Sequence, residues 1–510
     1  MNPLPTRLVD GLRRHLQAAQ GGEVQLIETH ISWVLLAGDH AYKLKKPVDL
    51  GFIDFSRLAT RRQACEDELR LNHRLAPELY LAVLPLYGPI DAPTLGGNGE
   101  PIDWVVQMRR FAAGALWSER LAAGQLLPQH IDRFAQRLAA FHADAPRAEP
   151  GSAWGGAEQV AGPALRALAE IERLAPAAVE PGLARWVHHQ AATLPPIWAD
   201  RRAKGCVREC HGDLHLANVV MLGDEPTAFD CLEFDPALRW IDVLNDAAFL
   251  VMDLWAHGRR DLAFRFLNAY LEHSGDYAGL PVLRFYLVYR AIVRALVGRL
   301  QGAASAAPDY LALAQALAQA SDTRLLATCG LPGSGKSHVT QQLLELAGAI
   351  RIRSDVERKR LHGLPPLADS HASGIDIYTP QANEATFARL RALAGLSLLA
   401  GWPTIVDAAS LRRAERERFQ GVAIAAGAPF TLLVCDAPPE VLRERVRLRE
   451  ARRDDASEAG VAVLERLMLT REPLSAEERT HAIVVDTTHA LAAGDLAADW
   501  RAHDHQPSAR

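Results

Sequence analysis

The spacing of hydrophobic residues in the first 111 positions changes several times between a helical and an extended period. Apolar residues recur at helical spacing in some segments and alternate with polar residues in others. We predict, in chain order, a helix over 1–22, strands over 24–36 and 40–46, a helix over 61–80, and strands over 83–90 and 103–111. This order predicts a small sheet that carries one helix.

Helical periodicity dominates from about 115 to 320, with one interruption. Residues 207–234 switch to short strands separated by loops, and helical segments resume at 240. The segment 302–310 is rich in Ala, Ser and Pro and has the composition of a linker. We therefore predict one α+β domain over 1–305, followed by a linker or terminal helix over 306–322.

From residue 323 onward, short apolar strands alternate with helices. TRLLATCG (323–330) leads into a glycine-rich loop, and TIVDAA (404–409) and FTLLVCDA (430–437) are further strands of the buried type. This alternation favours a parallel sheet with helices on its faces. We predict an α/β domain over 323–500 and a flexible tail over 501–510.

Composition limits the functions that this two-domain chain can have. The 510 residues include 49% hydrophobic residues, which is enough for more than one core. The formal net charge of −5 argues against bulk electrostatic binding to nucleic acid or to an anionic membrane. The N-terminus lacks an apolar signal segment, no apolar run has the length of a membrane span, and the six cysteines are irregularly spaced. We expect a cytoplasmic protein with reduced thiols.

Lysine is rare in this sequence. Only six of the 56 Lys and Arg residues are lysine. Lys43, Lys45 and Lys46 lie within four positions of one predicted strand, and Lys336 lies in the glycine-rich loop. Because arginine is the ordinary cation in this chain, these lysines indicate places that require a compact point charge.

The glycine-rich loop GLPGSGKS matches the phosphate-loop pattern G-x-x-x-x-G-K-[ST] at every fixed position. It lies between a predicted strand and a predicted helix, as the pattern requires. Glycines let backbone N–H groups turn toward phosphate, and the helix start adds a positive end. Lys336 is expected to reach the β- and γ-phosphates of ATP, and Ser337 is expected to ligate Mg²⁺. The predicted ATP-binding residues of the loop are Gly330, Gly333, Ser334, Gly335, Lys336 and Ser337.

Two aspartates follow at predicted strand ends of the same sheet, Asp355 in IRIRSD and Asp407 in PTIVD. The carboxyl ends of parallel strands meet at the ligand crevice. One aspartate is expected to hold Mg²⁺ and the other to accept a proton from a hydroxyl acceptor. The alternative is that each only caps a helix. The arginine-dense segment 443–457 is either a solvated helix face or a lid that closes on phosphate.

The segment CHGDLHLANVV (210–220) has the spacing of a kinase catalytic loop. Asp213 is followed five residues later by Asn218, and Asp230 lies at the end of the next apolar stretch. In a phosphoryl-transfer site one aspartate meets the acceptor hydroxyl, while an amide and a second aspartate ligate Mg²⁺. We predict Asp213 as the catalytic base, and Asn218 and Asp230 as the metal ligands. The alternative is a loop with a capping aspartate.

A kinase site also requires a strand lysine for the nucleotide phosphates. HAYKLKK (40–46) supplies it, and Lys43 and Lys45 share one face of a strand. We prefer Lys43, because a small residue two positions before it suits the roof of an adenine pocket. We predict Glu68 as its carboxylate partner, with Glu66 as the alternative. A solvated basic strand is the competing interpretation.

HGDLHLAN resembles the catalytic loop of the aminoglycoside and choline phosphotransferases, which have a protein-kinase-like fold. The resemblance covers residues 1 to about 305. It implies that Asp242 buttresses the catalytic loop and that His211 is a structural residue of it. It also implies the same catalytic base and Mg²⁺ ligands as the spacing does, namely Asp213, Asn218 and Asp230.

The sequence departs from this family pattern at two places. No G-x-G-x-x-G lies over the phosphates, and ETHISWVL (28–35) occupies that position, so Ser32 is expected to contact phosphate instead. The segment 146–200 has no clear acidic pocket for an aminoglycoside. Resistance to such drugs therefore does not follow from the resemblance.

Residues 323–490 resemble the P-loop kinases related to polynucleotide 5′-hydroxyl kinases. The resemblance rests on GLPGSGKS, SDVERKRL, VDAASLRRAER and ARRDDASEA. It implies that Asp355 is the general base and that Arg358 contacts an acceptor phosphate, which leaves Asp407 as the Mg²⁺ ligand. The lid arginine that contacts ATP is expected among Arg445, Arg449 and Arg453.

The order of the two halves resembles a bacterial fusion family described as aminoglycoside phosphotransferase/ATP-binding proteins. We expect a bifunctional kinase that uses ATP and Mg²⁺, with a small-molecule hydroxyl acceptor for each half and no membrane partner. One alternative is a nucleotide-gated regulator in which one half has no acceptor. Another is a nucleic-acid end kinase, which ranks lower because aromatic residues are only 6% and the net charge is negative.

Overall fold

The computed structural model describes residues 3–51, 53–302, 308–320, 322–370, 372, 374–452, 455–480 and 482–503. The chain divides into two compact units. The first comprises Met1–Arg137, Phe141–Gln159 and Arg201–Leu250, and the second comprises Leu138–Ala140, Val160–Asp200 and Val251–Arg510. The predicted boundaries at 305 and 323 both fall within the second unit, and they stay a prediction.

A six-stranded antiparallel sheet begins the first unit. Its strands are β1 (Gln25–Glu28), β2 (Ser32–Ala37), β3 (His40–Lys45), β4 (Tyr80–Tyr87), β5 (Thr94–Leu95) and β6 (Asp103–Arg109). Their order is β1-β2-β3-β6-β4-β5. Helix α1 (Pro3–Gln20) packs on β2, and α2 (Leu58–His73) packs on β4 and β6. The predicted strand over 24–36 is divided in two, because Thr29 N donates to Ser32 O and the chain reverses there.

A mainly helical region follows, as predicted. Its helices are α3 (Trp117–Ala122), α4 (Pro128–Asp144), α5 (Ala157–Leu174), α6 (Pro181–Thr193) and α7 (Pro195–Ala203), with a 3₁₀ turn at Pro176–Ala178. The predicted interruption over 207–234 is also present. It contains β7 (Val207–Glu209), a 3₁₀ turn at Leu216–Asn218, β8 (Val219–Leu222) and β9 (Glu225–Ala228).

Two short antiparallel pairs hold the loops of this interruption. Strands β8 and β9 form a hairpin, and β7 pairs with β10 (Trp240–Asp242), which follows α8 (Pro236–Arg239). Helix α9 (Val243–Ala256) begins directly after β10. The loop after β7 and the segment after β9 are therefore anchored at their ends by backbone hydrogen bonds.

The second unit contains three further helices before its sheet: α10 (Arg260–Ser274), α11 (Leu280–Leu300) and α12 (Tyr310–Gln319), with a 3₁₀ turn at Tyr277–Gly279. Helix α12 lies within the segment predicted as a linker or terminal helix, and it packs on α11 and α6. Residues 303–307 make up most of the segment 302–310 that has the composition of a linker, and they lie outside the described residues. No helix in the described ranges has the length and apolar character needed to cross a membrane.

A five-stranded parallel sheet forms the rest of the second unit. Its strands are β11 (Leu325–Cys329), β12 (Ile350–Arg353), β13 (Thr404–Asp407), β14 (Phe430–Asp436) and β15 (Ala482–Asp486). Their order is β12-β13-β11-β14-β15, and every pair is parallel. The connecting helices are α13 (Lys336–Ala347), α14 (Ser354–Leu361), α15 (Pro380–Leu399), α16 (Arg413–Ala425), α17 (Pro439–Arg452), α18 (Val461–Thr470) and α19 (Ala476–Thr480), and α20 (Ala493–Ala502) follows β15. The predicted α/β class is confirmed. Of the predicted tail, the structure describes residues up to 503.

Helix α10 covers the edge strand β12. Asn268 Nδ2 donates to Ala349 O at 2.9 Å, and Asn268 Oδ1 accepts from Arg351 N at 2.6 Å. Glu272 of the same helix binds Arg351 at 2.8 Å. Because an edge strand leaves backbone groups unpaired, these side chains complete its hydrogen bonding. A helix that the sequence analysis assigned to the first domain is thus built into the unit of the parallel sheet.

Candidate functional sites

The loop between β7 and β8 carries two of the residues predicted for catalysis in the first unit. Asn218 Nδ2 donates to the backbone O of Asp213 at 2.9 Å and to its Oδ2 at 3.1 Å. Because both partners are acceptors, they fix the orientation of the amide and leave Asn218 Oδ1 for a cation. The Asp213 side chain is 33% exposed. Its carboxylate is therefore accessible to an acceptor molecule.

His211 supports this loop from inside. Its ring is fully buried, and Nε2 lies 2.8 Å from Phe229 O, which can only accept a hydrogen bond. Nε2 therefore carries the proton, and Nδ1 accepts from Asp213 N at 3.3 Å. Burial lowers the pKa of His211, which favours this neutral form. The contacts agree with the structural role expected for His211.

The carboxylate that holds the loop between β7 and β8 is Asp246, in the first turn of α9. It accepts hydrogen bonds from His211 N at 3.0 Å and from Gly212 N at 2.9 Å, and His142 Nε2 lies 3.1 Å from its Oδ2. Burial raises the pKa of Asp246, but the hydrogen bonds and charge of its partners outweigh burial and lower the pKa to about 2. Asp246 is therefore ionised and fixes the backbone of the loop.

The expectation that Asp242 buttresses the loop is corrected by this geometry. Asp242 forms a buried two-point ion pair with Arg201, at 2.5 and 2.7 Å, and accepts from Leu244 N at 2.9 Å. The segment IDVLND offers two aspartates about one helical turn apart. Sequence spacing does not show that the chain enters α9 between them, so the position of Asp246 on the loop could not be inferred from it.

Lys43 joins strand β3 to two carboxylates. Its Nζ donates to Glu68 Oε1 at 2.8 Å and to Asp230 Oδ1 at 2.5 Å. Burial lowers the pKa of Lys43, but the charges of Asp230 and Glu68 more than compensate and raise it well above its ordinary value. Glu66, the alternative partner, instead pairs with Arg62 on the exposed face of α2. The fold thus brings the predicted lysine, glutamate and aspartate together.

A second lysine lies beside the first. Lys45 Nζ donates to Glu68 Oε2 and to Glu233 Oε1, and all three side chains are buried. Burial raises the pKa of Glu68, but the charges of Lys43 and Lys45 outweigh burial and lower the pKa to about 2. The carboxylate is therefore ionised. No role for Lys45 or Glu233 was predicted from the sequence. The available signal was the short spacing of acidic residues in AFDCLEFD.

Asp230 has an unusual backbone conformation for a residue with a side chain. Its φ is 64°, in the left-handed region, which costs roughly 1 kcal/mol or more. Its N–H donates to Tyr80 Oη at 3.1 Å, and its side chain is 41% exposed. The conformation turns Oδ1 toward Lys43 while part of the side chain stays accessible.

In the second unit, the glycine-rich loop joins β11 to α13. Gly333 and Gly335 have φ values of 81° and 80°, which side chains rarely adopt. Lys336 begins α13, and its Nζ donates to Gly330 O and Leu331 O at 2.9 Å each. Burial lowers the pKa of Lys336. Backbone carbonyls, not carboxylates, therefore hold this ammonium group over the loop.

A cleft of about 860 Å³ opens in front of this loop. The predicted residues that line it are Gly333, Gly335, Lys336, Ser337, Asp355, Arg358, Asp407, Arg445 and Arg449. Ser334 is buried in the loop beneath it, and Arg453 lies outside the described residues. Lys336 and seven arginines line the cleft, against five carboxylates. The cleft is therefore positively charged, although the whole chain is negative.

The two predicted aspartates of this cleft have different surroundings. Asp407 ends β13, is buried, and accepts from Thr340 Oγ1 at 3.3 Å. Asp355 lies in the first turn of α14, just beyond the strand end, and its carboxylate accepts no hydrogen bond within the described part of the chain. Arg353 is the residue at the N-cap of α14, and α16 begins only at Arg413. Neither aspartate caps a helix, so the capping alternative is excluded.

Arg358 is buried but pairs with no carboxylate among the described residues. Its guanidinium donates to Ile377 O at 3.1 Å and to Asn383 Oδ1 at 3.0 Å, and it lies over the Tyr378 ring. Both hydrogen-bond acceptors are neutral. A buried cation without a counter-charge is costly, so this one is suited to receive an anionic group from the cleft.

The arginine-dense helix α17 faces the cleft, which agrees with the lid interpretation. Arg445 donates to Gly333 O at 3.3 Å and to Thr487 O at 2.7 Å. Arg449 donates to Ala459 O at 2.6 Å. These arginines also bond to neutral oxygens, so their charges are available to phosphate.

Both sites offer oxygen ligands for Mg²⁺ and hydroxyl groups that could bond to the phosphates of ATP. Asn218 and Asp230 in the first unit, and Ser337 and Asp407 in the second, supply the hard oxygen ligands that Mg²⁺ prefers. The buried hydroxyls of Ser32 and Ser334 have no hydrogen-bond partner among the described residues. Ser32 is opposite Lys45 in the β2–β3 register, and its contact with phosphate stays a prediction.

Residues 325–474 match the family described as AAA domain. A choline/ethanolamine kinase family protein from Mesorhizobium loti is 14% identical, with 61% of this chain and 95% of that chain covered and a TM-score of 0.38. A sugar kinase from Janibacter sp. HTCC2649 is 20% identical, with 36% of this chain and 96% of that chain covered and a TM-score of 0.27.

Relatives from two mycobacterial species match the chain over most of its length. Proteins of Mycobacterium tuberculosis and Mycobacterium bovis, each described as uncharacterized, are 33% identical to it over 457 residues. The match covers 86% of this chain and 89% of each relative. The chain therefore belongs to the same family as these mycobacterial proteins, and its C-terminal region is a P-loop domain that matches the AAA type.

Proposed function

We propose that the chain is a bifunctional ATP-dependent phosphotransferase in which each unit transfers the γ-phosphoryl group of ATP to a hydroxyl acceptor. This proposal rests on the contacts of Lys43 with Glu68 and Asp230, which come from separate parts of the sequence. Asp213 and Asn218, bonded to each other, lie on the loop that precedes Asp230. A lysine, a base and two metal ligands are the parts that phosphoryl transfer requires.

In the first unit, Asp213 accepts the proton of the acceptor hydroxyl while Lys43 binds the nucleotide phosphates. Glu68 keeps Lys43 directed at the site through one carboxylate oxygen. Asn218 and Asp230 would hold Mg²⁺, which supplies charge neutralisation of the phosphates when bound. His211 and Asp246 keep the loop backbone rigid, so that Asp213 is positioned before the substrate arrives.

In the second unit, backbone N–H groups of the glycine-rich loop and Lys336 bind the phosphates of ATP. Ser337 and Asp407 would hold Mg²⁺ at the start of α13 and the end of β13. Asp355 is free of hydrogen bonds among the described residues and accepts the proton of the acceptor. Arg445 and Arg449 stabilise the negative charge on the transferred group.

The acceptor of the second unit is proposed to be anionic. Arg358 supports this, because it is buried at the cleft wall with only neutral partners. The surplus of arginines in the cleft supports it as well. We propose a small phosphorylated or carboxylated compound that bears a hydroxyl group, with an oligonucleotide end as the alternative.

The test is ADP release from Mg·ATP in the presence of a panel of acceptors. The panel contains sugars, sugar phosphates, amino alcohols, aminoglycosides, nucleosides and 5′-hydroxyl oligonucleotides. The full chain is compared with Asp213→Ala, Lys336→Ala and the double variant. An acceptor whose stimulation is abolished by one substitution and not by the other identifies the unit that uses it.

Two results would replace the proposed function of the second unit by one of the alternatives. If no acceptor stimulates the wild type while ATP binds in a Lys336-dependent manner, the second unit is a nucleotide-gated regulator. If only oligonucleotides stimulate ADP release, the second unit is a nucleic-acid end kinase.

A further inference from the structure

Five charged side chains form one connected cluster in the first unit. Lys43 contacts Asp230 and one oxygen of Glu68, and Lys45 contacts the other oxygen of Glu68 and Glu233. Each oxygen of the Glu68 carboxylate is thus held by a different lysine. The proposed mechanism uses Lys43, Glu68 and Asp230, and it leaves Lys45 and Glu233 without a role.

A gain in stability does not by itself explain why Lys45 and Glu233 are buried. The side chains of Lys45 and Glu68 are 0% exposed, and that of Glu233 is 4% exposed. Removing such charges from water costs free energy that their mutual attraction only partly offsets. Apolar residues of the same volume would fill the space at least as favourably. An ion pair differs from apolar packing in that it fixes the direction of the groups it joins.

The contacts of Lys45 show which groups it directs. Glu68 belongs to α2, whereas Glu233 lies three positions after Asp230 on the segment that follows β9. The same segment is tied to α2 a second time, because Cys231 N donates to Asn72 Oδ1 at 2.9 Å. Lys45 therefore links the helix that holds Lys43 to the segment that carries Asp230.

We propose that Lys45 and Glu233 are positioning residues that fix Glu68 and the Asp230 segment, so that Lys43 alone is free to exchange Asp230 for the phosphates of ATP. This inference rests on the proposed function of the first unit. Mg²⁺ at Asp230 would compete with Lys43 Nζ for the charge of that carboxylate. If Glu68 were held by Lys43 only, it would move with Lys43, and the lysine would lose its fixed support.

The experiment measures ATP binding at several Mg²⁺ concentrations in the full chain with Lys336→Ala, so that only the first unit binds nucleotide. In this background, Lys45→Met/Glu233→Met replaces the ion pair by apolar groups of similar size. We expect a folded protein whose binding of ATP requires roughly 10- to 100-fold more Mg²⁺, as is typical when a supporting contact of a metal site is lost. Glu233→Asp should retain most of the binding, because it keeps a carboxylate opposite Lys45.

The matched control is Lys46→Met, on the adjacent position. Lys46 pairs with Glu28 and packs on Trp33, away from the cluster. We expect its Mg²⁺ dependence to equal that of the background. A double variant that binds Mg·ATP as the background does would overturn the inference. If the double variant does not fold, Glu233→Gln is used instead, and an unchanged Mg²⁺ dependence in that variant also overturns it. Failure of the background itself to bind Mg·ATP would instead refute the proposed function of the first unit.

Discussion

The two candidate sites hold their cations in opposite ways. In the first unit, Lys43 and Lys45 are paired with three carboxylates, two of them buried. In the second unit, Lys336 is held by two carbonyl oxygens, and the cleft has more cations than carboxylates. The first site therefore has more carboxylates than lysines, an excess that a bound cation would offset, whereas the second attracts anions before any specific contact forms.

This difference follows from where the functional groups lie in the sequence. The first site collects side chains from β3, α2 and the segment after β9, so its geometry depends on tertiary packing and ion pairs. The second site uses one continuous loop whose backbone conformation is set by glycines. Substitution of charges should therefore damage the first site most, and substitution of glycines the second.

The largest expected effect is the loss of the proposed bases. Asp213→Asn and Asp355→Asn should each lower the acceptor-stimulated ADP release of their own unit by about 10²- to 10⁴-fold, because each removes a general base. ATP affinity should change little, since neither carboxylate is proposed to bind the nucleotide. Steady-state kinetics with the acceptor of each unit, together with ATP binding, measures both quantities.

Asp261→Asn is a matched control for these substitutions. Asp261 lies in the first turn of α10, like Asp355 in α14, but pairs with Arg259 outside the cleft. Its activity should equal that of the wild type. A base variant that kept more than about a tenth of the wild-type rate would exclude its residue as the base, since this is less than general-base catalysis contributes.

The next effect distinguishes Asp246 from Asp242, the two aspartates near the loop that carries Asp213. Asp246→Asn should destabilise the first unit by about 3 kcal/mol, because an amide cannot accept from both backbone N–H groups and His142 as a carboxylate does. It should also slow turnover, since the loop that carries Asp213 loses its support. Asp242→Asn should lower stability through Arg201 but preserve turnover below its unfolding temperature. Equal loss of turnover in both variants would contradict the assignment.

The loss of stability caused by Asp246→Asn should depend on pH. The pKa of Asp246 in the folded chain is about 2, below its ordinary value of 3.8. Its contribution to stability is therefore complete above about pH 4 and is lost as the pH falls toward 2. The difference in unfolding free energy between the wild type and Asp246→Asn should shrink by about 2 kcal/mol over that range. Chemical denaturation at several acidic pH values measures it, and a constant difference would show that Asp246 is not ionised in this way.

The fold and the two motif-bearing loops could be predicted from sequence because their signals are local. Strand–loop–helix order around GLPGSGKS and the spacing of Asp213 and Asn218 need no tertiary information. Lys43 and Glu68 were also predicted, because a strand lysine and the next helix stand in a fixed order in this fold. The structure brings Asp213 together with Asn218, and Lys43 together with Glu68, as expected. Their roles in binding and catalysis stay predictions.

The remaining features depend on contacts that no local pattern encodes. Asp246 could not be chosen over Asp242 without knowing where α9 begins, and Lys45 and Glu233 meet only after β3 and the segment beyond β9 have packed. Helix α10 was placed in the first domain by its position in the chain. Its role in the second unit appears only from its contacts with the edge of β12.

A smaller effect is expected from the asparagines that tie backbone segments in each unit. Asn268→Ala should lower the stability of the second unit by about 2 kcal/mol, because it leaves backbone groups at the edge of β12 without partners. Asn72→Ala removes a similar bond to Cys231 N in the first unit. Hydrogen exchange of β12 and of the segment after β9 should report the two losses separately. Loss of protection in β12 from Asn72→Ala would argue against this separation.

The smallest effect tests the dependence of the second site on backbone conformation. Gly335→Ala places a Cβ at φ 80°, about 3.2 Å from Thr487 Cβ, and should weaken ATP binding to the second unit by roughly 1 kcal/mol, or about fivefold. Gly363→Ala is the control, since Gly363 has a φ of 70° but no atom within 4 Å of the added Cβ. It carries the same backbone strain outside the loop and should lower stability without changing ATP affinity. Titration of ATP in a Lys43→Ala background isolates the second site. Equal affinities for the two variants would mean that the loop tolerates a side chain, and the site would then depend on Lys336 and the cleft arginines instead of the glycine backbone.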